Sequence, residues 1–310
     1  MVPFLGMFPV LFSIGSFSVS SFGILLALGY LFAIFLIWRL ARAWDLDEEK
    51  ILDLTLLTFV GGMIGARAYF VLEHWDIFTV APSKMILFYK FPGFSFWGGL
   101  LGGWLTLFYF SRRFKLDFWQ IADIASVGFL GALIFGNIGC FLGGCGIGIP
   151  SKLFFAVSQV GTIGTRFPIQ AIEAILLTLA LFKIWGWATH FHLRGIIVAT
   201  TLIFLSLSKL LTEPLKETHG QNYFFLTTLF FLGLVIFYKV TRRNILADFK
   251  SVGLILAGIV TKQQIRKLAV EMMGRYWYNQ KTVALWKFRN FKKILRRLNV
   301  KFSHKNNRVN

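Results

Sequence analysis

"GNIGCFLGGCGIGIP", residues 136–150, carries six glycines and both of the chain's cysteines, Cys140 and Cys145. It runs straight on from an apolar stretch, and that junction decides the reading of the fold. Irregular backbone at membrane depth survives only where protein or a water-filled cavity covers it. A glycine-rich segment at the end of an apolar span therefore reads as lining something. Gly136, Gly139 and Gly143 permit close helix approach. Gly143, Gly144, Gly146 and Gly148 allow backbone N–H groups to converge on an anion.

The composition agrees with a membrane setting. Of 310 residues 56% are hydrophobic, 36 are Phe and only 14 are acidic, which departs from soluble globular usage. Apolar runs suited to about 30 Å of hydrocarbon fall near 18–38, 51–72, 95–110, 118–140, 168–187, 195–211 and 223–239. The third and the last two are short. The expectation is an all-α polytopic integral membrane protein with seven transmembrane helices and the glycine-rich turn at the outer end of the fourth. No basic n-region or small-residue cleavage pattern accompanies the first run, so no removable leader is expected.

Lys and Arg concentrate on the cytoplasmic side of short loops. Arg39, Arg42 and Lys50 follow the first segment, Arg112, Arg113 and Lys115 the third, and Lys183 and Arg194 flank the loop after the fifth. The alternate loops hold only Lys84 and Lys90, then Lys152 and Arg166, then Lys216. This pattern places the N-terminus outside and the C-terminus in the cytoplasm. Residues 1–240 read as one transmembrane domain and 241–310 as a basic cytoplasmic tail. From Lys239 onward the chain holds 18 of its 33 Lys and Arg against two acids, Asp248 and Glu271, and so +16 of the formal +19. Attached to a membrane bundle, such a tail suits an anionic lipid bilayer and not nucleic acid. Leu285, Phe288, Phe291, Leu295 and Leu298 recur at helical spacing among Lys293, Arg296 and Arg297, the pattern of an interfacial amphipathic helix.

Ionisable residues inside membrane segments are costly and mark candidate sites. Asp53, Asp123 and Lys183 lie toward the cytoplasmic ends. Arg67, Glu173, Lys209 and Glu213 converge on the outer half, the level of the glycine-cysteine run. Lys209, Glu213 and Lys216 are spaced i, i+4, i+7, which places them on one helix face. They read either as a self-compensated ion pair at the interface or, with Gln170, as part of a site. The fork of Arg67 suits a buried carboxylate or a lipid phosphate. For Cys140 and Cys145 a zinc site lacks further ligands, which leaves a disulfide on an oxidising face or two small buried fillers. His74, beside Glu73, is a candidate base or an interfacial histidine. The chain has no G-x-S-x-G, H-E-x-x-H, Walker or dinucleotide pattern, so hydrolase and nucleotide chemistry are unsupported. No metal or cofactor is expected.

Five blocks, "GGMIGARAYFVL" (61–72), "GFSFWGGLLGG" (93–103), "ADIASVGFLGALIFGNIGCFLGGCGIG" (122–148), "FPIQAIE" (167–173) and "RGIIVATTLIFLSLSKLLTEPLK" (194–216), occur in this order. Together they resemble the signature blocks of the prolipoprotein diacylglyceryl transferase family. The resemblance implies a phosphatidylglycerol–prolipoprotein diacylglyceryl transferase of the bacterial cytoplasmic membrane. Its partners would be phosphatidylglycerol and prolipoprotein signal peptides. It implies Lys209, Glu213, Glu173 and His74 as catalytic candidates. For substrate binding it implies Arg67, Asn137, Gly139, Cys140, Gly144, Gln170, Lys216 and Trp97. The chain also departs from the family pattern. The family's first-helix tyrosine falls on Phe22, the histidine of its "SFHGG" block on Trp97 and the arginine opening "GRxGNF" on Asn137. That motif's asparagine falls on Cys140 and a later glutamate on Cys145, while Lys209 and Lys216 stand where arginines are usual. A non-catalytic lipid- or lipoprotein-binding paralogue and a membrane thiol oxidoreductase are the alternative readings.

Overall fold

The computed structural model describes residues 10–14, 17–79, 85, 93–159, 162–217 and 222–245, together with scattered positions from 248 to 290. The chain divides into two compact units, Met1–Arg242 and Arg243–Asn310. In the first, a hairpin of β1 (Val10–Ile14) and β2 (Phe17–Ser20) leads into α1 (Ser21–Ala43). There follow α2 (Glu48–Glu73), the single turn α3 (Trp75–Thr79), α4 (Phe96–Arg113) and α5 (Phe118–Gly143). Two-residue strands β3 (Val157–Ser158) and β4 (Thr165–Arg166) pair antiparallel before α6 (Ile169–Ala188), α7 (Ile196–Thr212) and α8 (Tyr223–Thr241).

Six helices are long and apolar enough to cross a membrane: α1, α2, α5, α6, α7 with its short extension, and α8. The helix α4 is not among them, because its four glycines, two tryptophans and terminal Arg112 and Arg113 dilute its apolar content. Outward-facing Leu31, Ile64, Leu179, Phe182 and Phe231 are each more than 60% exposed. A soluble surface seldom shows such a belt of large apolar side chains, whereas lipid covers it without penalty.

The core is built on α5. Ile121, Ile124, Val127 and Leu130 pack with Leu36, Ile37 and Leu40 of α1, Leu177 and Ile184 of α6, and Ile197 and Leu205 of α7. The helix α2 pairs with α4 through glycine. A Cβ at Gly65 would lie 2.5 Å from the Gly98 carbonyl oxygen and 2.8 Å from Gly102 Cα. These helix backbones touch, the small-residue packing that drives association in lipid. Gly136 does not serve the close approach expected of it, since a Cβ there meets nothing among the described residues.

Helix ends follow from local chemistry. Asp47 and Asp117 accept from Lys50 N–H (3.2 Å) and Gln120 N–H (3.0 Å) at the starts of α2 and α5, as N-cap carboxylates do. The start of α7 is capped from another helix. Buried Asp123 of α5 accepts from Gly195 N–H at 2.6 Å and Val198 N–H at 2.7 Å. The other end of α7 departs from the sequence expectation. The α-helix stops at Thr212, Glu213–Leu215 form a 3-10 turn, and Lys216 is extended. Pro214 supplies no N–H and restricts the residue before it. Lys209, Glu213 and Lys216 therefore do not share one continuous α-helical face.

In the second unit the described residues between Val270 and Asn290 are helical. Trp277, Tyr278 and Trp286 there are about two-thirds exposed. Most of the expected amphipathic stretch, including Phe288, Phe291, Lys293, Leu295, Arg296, Arg297 and Leu298, lies outside the described residues, as do Lys84 and Lys90.

Candidate functional site

The charged residues of α6 and α7 meet across the helix interface. Pro168 ends the extended segment before α6, and the first full turn delivers Glu173, 3% exposed, to the face turned toward α7. Lys209 Nζ donates to Glu173 Oε2 at 2.7 Å, and Thr212 Oγ1 donates to Oε1 at 2.8 Å. Lys209 and Thr212 are one turn apart, so a single carboxylate joins successive turns of α7. Lys216 Nζ donates to Glu213 Oε2 at 2.7 Å and lies 3.5 Å from Glu173 Oε1. The fully buried Glu213 also accepts from Asn222 Nδ2 at 3.1 Å. Asn222 in turn accepts from Trp97 Nε1 at 3.0 Å, and the Trp97 ring stacks on Phe225.

The result is one unbroken polar chain: Trp97, Asn222, Glu213, Lys216, Glu173, Lys209. It borders a cavity of about 180 Å³ lined by Phe96, Trp97, Lys209, Glu213, Lys216, Asn222 and Leu226. Two ammonium groups and two carboxylates balance formally. Isolated charges at this depth would carry a large desolvation cost, which pairing and hydrogen bonding offset. The expected pairing of Lys209 with Glu213 along one helix is replaced by pairing across helices. Glu213 pairs with Asn222 and Lys216, and Lys209 pairs with Glu173.

The glycine-cysteine run lies one turn away along α6. The α5 helix ends at Gly143, and Gly144 takes the left-handed conformation (φ 78°) that glycine adopts freely. That reversal brings Cys145 back to Cys140, and the two form a disulfide, which corrects the reading of two unlinked fillers. Buried Gln170 Nε2 donates to the Cys145 carbonyl at 2.6 Å and to the Gly146 carbonyl. Its Oε1 is buried without a partner among the described residues. Gln170 and Glu173 lie three residues apart on one side of α6, so that helix connects the turn to the charge cluster.

Other sequence candidates go elsewhere. Arg67 donates through Nε to the Met85 carbonyl (3.0 Å) and through an Nη to the Gly93 carbonyl (2.9 Å). Its guanidinium also faces the rings of Phe70 and Phe78. His74 Nδ1 lies 3.1 Å from the Phe70 carbonyl, beside the Phe70 ring. Asn137 and Gly139 are buried on α5, and Gly139 packs against Leu25 and Phe22 of α1. Thr212 and Asn222 escaped the sequence reading. Thr212 was within reach of it, being one helical turn from Lys209, but Asn222 follows a loop and carries no local signal.

Apolar membrane-length helices around an internal, charge-balanced polar cluster define a polytopic membrane protein. The sequence pattern of prolipoprotein diacylglyceryl transferase matches residues 9–262, and the chain belongs to that family. Three relatives carry the name phosphatidylglycerol–prolipoprotein diacylglyceryl transferase. The chain is 37% identical over 140 residues to the one from Deinococcus radiodurans, covering 44% of this chain and 41% of that protein. It is 26% identical over 232 residues to the one from Clostridium tetani, covering 73% and 92%. It is 28% identical over 222 residues to the one from Synechococcus elongatus, covering 67% and 76%. The match thus spans less than half of the Deinococcus protein and nearly all of the clostridial one.

Proposed function

We propose that the chain moves diacylglyceryl from phosphatidylglycerol to the cysteine thiol of a prolipoprotein signal peptide, in the bacterial cytoplasmic membrane. The observation that carries this reading is the Lys209–Glu173–Lys216–Glu213 cluster beside a cavity, in a chain of the diacylglyceryl transferase family. The thiolate sulfur attacks the diacylglyceryl carbon that bears the phosphate ester. A C–S bond forms, the C–O bond breaks, and glycerol phosphate leaves with the bonding pair. Such a step needs cations at the departing phosphate and an acceptor for the thiol proton.

Lys209 and Lys216 supply the cations. A phosphate oxygen reaching them competes with Glu173, and the carboxylate so released takes the thiol proton. This arrangement needs no histidine at position 97, where Trp97 instead holds Asn222 against Glu213. Gln170 and the turn around Gly144, which we place at the outer face, shape the headgroup end of the site. Asn137, Gly139 and Cys140 form its α5 wall. Arg67, which binds the Met85 and Gly93 carbonyls, is a candidate phosphate contact, and His74 is a candidate base. In this reading α4 is a seventh crossing, the N-terminus lies outside, and residues 241–310 form a cytoplasmic tail against anionic lipid.

The test is incubation of the purified protein with phosphatidylglycerol and a lipobox peptide, followed by mass measurement of the peptide. A gain of one diacylglyceryl group supports the proposal. Phosphatidylglycerol binding without any gain would favour the non-catalytic paralogue.

A further inference from the structure

The disulfide is joined to the charge cluster by a short path of backbone pairing. Immediately after Cys145, residues 147–149 form the middle of three extended segments. On one side Glu217 N–H donates to the Ile147 carbonyl and Ile149 N–H to the Leu215 carbonyl, both at 2.9 Å, and Gly148 opposes Lys216. On the other side Phe167 N–H donates to the Ile149 carbonyl at 3.1 Å, and the Arg166 guanidinium donates through an Nη to the Gly148 carbonyl at 3.2 Å. Gln159 Oε1 accepts from Gly148 N–H at 3.1 Å. Lys216 is thus held from two sides, by its own turn, in which its N–H bonds the Glu213 carbonyl at 3.1 Å, and by residues 147–149, whose register helps set where its ammonium meets Glu213 and Glu173.

Besides these bonds, the register of 147–149 depends on the turn before it. That turn has three fastenings: the Cys140–Cys145 disulfide, the Cys145 N–H bond to the Cys140 carbonyl at 3.0 Å, and the two Gln170 bonds. Only the first is covalent. Gly144 and Gly146, both at positive φ, make the turn itself conformationally permissive, so without the cross-link the segment gains freedom that the remaining hydrogen bonds must offset.

We propose that the Cys140–Cys145 disulfide is a positioning element for Lys216: it holds residues 147–149 in the register that presents the Lys216 ammonium to an anionic phosphate headgroup. The inference rests on the headgroup reading given above. It makes affinity for phosphatidylglycerol depend on the thiol state of two residues that do not touch the reacting atoms. The reductant tris(2-carboxyethyl)phosphine opens the bond to two thiols and is itself converted to the phosphine oxide, its oxygen coming from water.

The test uses the full-length protein in detergent, with short-chain phosphatidylglycerol as the probe. Hydrogen exchange is read at the Ile149 and Glu217 amides, and affinity by calorimetry. Three states are compared: oxidised, reduced by the phosphine, and reoxidised, with thiols counted by alkylation and mass. Reduction is expected to speed exchange at these two amides while those in the middle of α7 stay protected. It is also expected to weaken binding by roughly fivefold or more, a typical coupling between linked sites, and reoxidation is expected to restore both. The same reduction applied to Lys216→Ala should change affinity little, because a shared route makes the two effects non-additive. Cys140→Ser/Cys145→Ser provides a second route to the open state, with thermal unfolding followed to confirm that it folds. Unchanged exchange at Ile149 and Glu217, an equal loss of affinity in the Lys216→Ala background, or no binding by the oxidised parent would each overturn the proposal. Redox-dependent binding without transfer to a lipobox peptide would instead overturn the transferase reading and leave this one standing.

Discussion

Glu173→Gln is the substitution that separates a structural ion pair from a working one. The carboxylate side chain is 4% exposed and Lys209 is 17% exposed, with Lys216 3.5 Å from the other oxygen. The amide keeps the shape and the Thr212 hydrogen bond but leaves Lys209 without its counter-charge. Breaking a buried pair from one side costs about 3–5 kcal/mol. The partial exposure of Lys209 puts the expected loss near the lower end, about 3 kcal/mol. Glu173→Gln/Lys209→Met removes both charges, so most of that stability should return, because no uncompensated ion remains. Catalysis should not return. Loss of a positioned charge that stabilises a departing anion typically costs on the order of 100-fold or more in rate. The assay pairs unfolding in detergent with mass-detected transfer to a lipobox peptide, for the parent, both single variants and the double. A double variant that is stable and transfers within a few-fold of the parent would refute the reasoning, and would reduce the cluster to packing.

Asp123→Ala should cost about 0.5–2 kcal/mol, the range for a lost helix cap, and should speed hydrogen exchange at Gly195 and Val198. Gly65→Ala should destabilise the α2–α4 pair by about 1–3 kcal/mol through overpacking, seen as a lower unfolding midpoint. Gly136→Ala, facing open space, should leave that midpoint unchanged. Trp97→Phe keeps the ring stack on Phe225 but removes the bond to Asn222, so it should lower transfer less than Lys209→Ala does. Cysteine-accessibility labelling should report position 300 as cytoplasmic; an outside reading would reverse the orientation and move the charge cluster to the wrong face.

The helices were legible because hydrocarbon-length apolar runs leave little freedom, and each of the seven expected segments overlaps a long helix. The glycine-rich α4 could be found as a helix, though its composition falls short of the six clearly membrane-like ones. Relative height along neighbouring helices was legible too: Glu173 of α6 meets Lys209 and Thr212 of α7. Lateral neighbours were not. Arg67 and His74 stand near that level by position along α2, yet Arg67 turns to the Met85 and Gly93 carbonyls and His74 to the Phe70 carbonyl. Periodicity gives the height of a residue on a helix, and only packing says which helix it faces. The same limit explains the pairing of Lys209. Spacing offered Glu213 as its partner, and Glu213 does close the last α-helical turn onto the Lys209 carbonyl, but Lys216 and Asn222 take that carboxylate and Glu173 on α6 takes the ammonium. The disulfide was one of two open readings until the left-handed Gly144 turn brought the cysteines together.

The neutral balance of the cluster bears on how an anionic substrate is received. Two bare ammonium groups in a dry cavity would attract phosphate strongly but would be costly to hold in its absence. Two carboxylates remove that cost and convert binding into exchange, since each phosphate oxygen gained displaces a carboxylate oxygen. The two carboxylates are not equivalent in this exchange. Glu213 accepts from Asn222 as well as from Lys216, and Asn222 is itself held by Trp97. Glu173 is held by Lys209 and by a single Thr212 hydroxyl, with Lys216 farther off. In the proposed reaction a phosphate entering between the lysines competes with Glu173 for both of them, while Asn222 and Trp97 hold Glu213 beside Lys216. In the proposed mechanism this exchange would link the two demands of the reaction in one event, the cations passing to the leaving group as the carboxylate becomes free to accept the thiol proton.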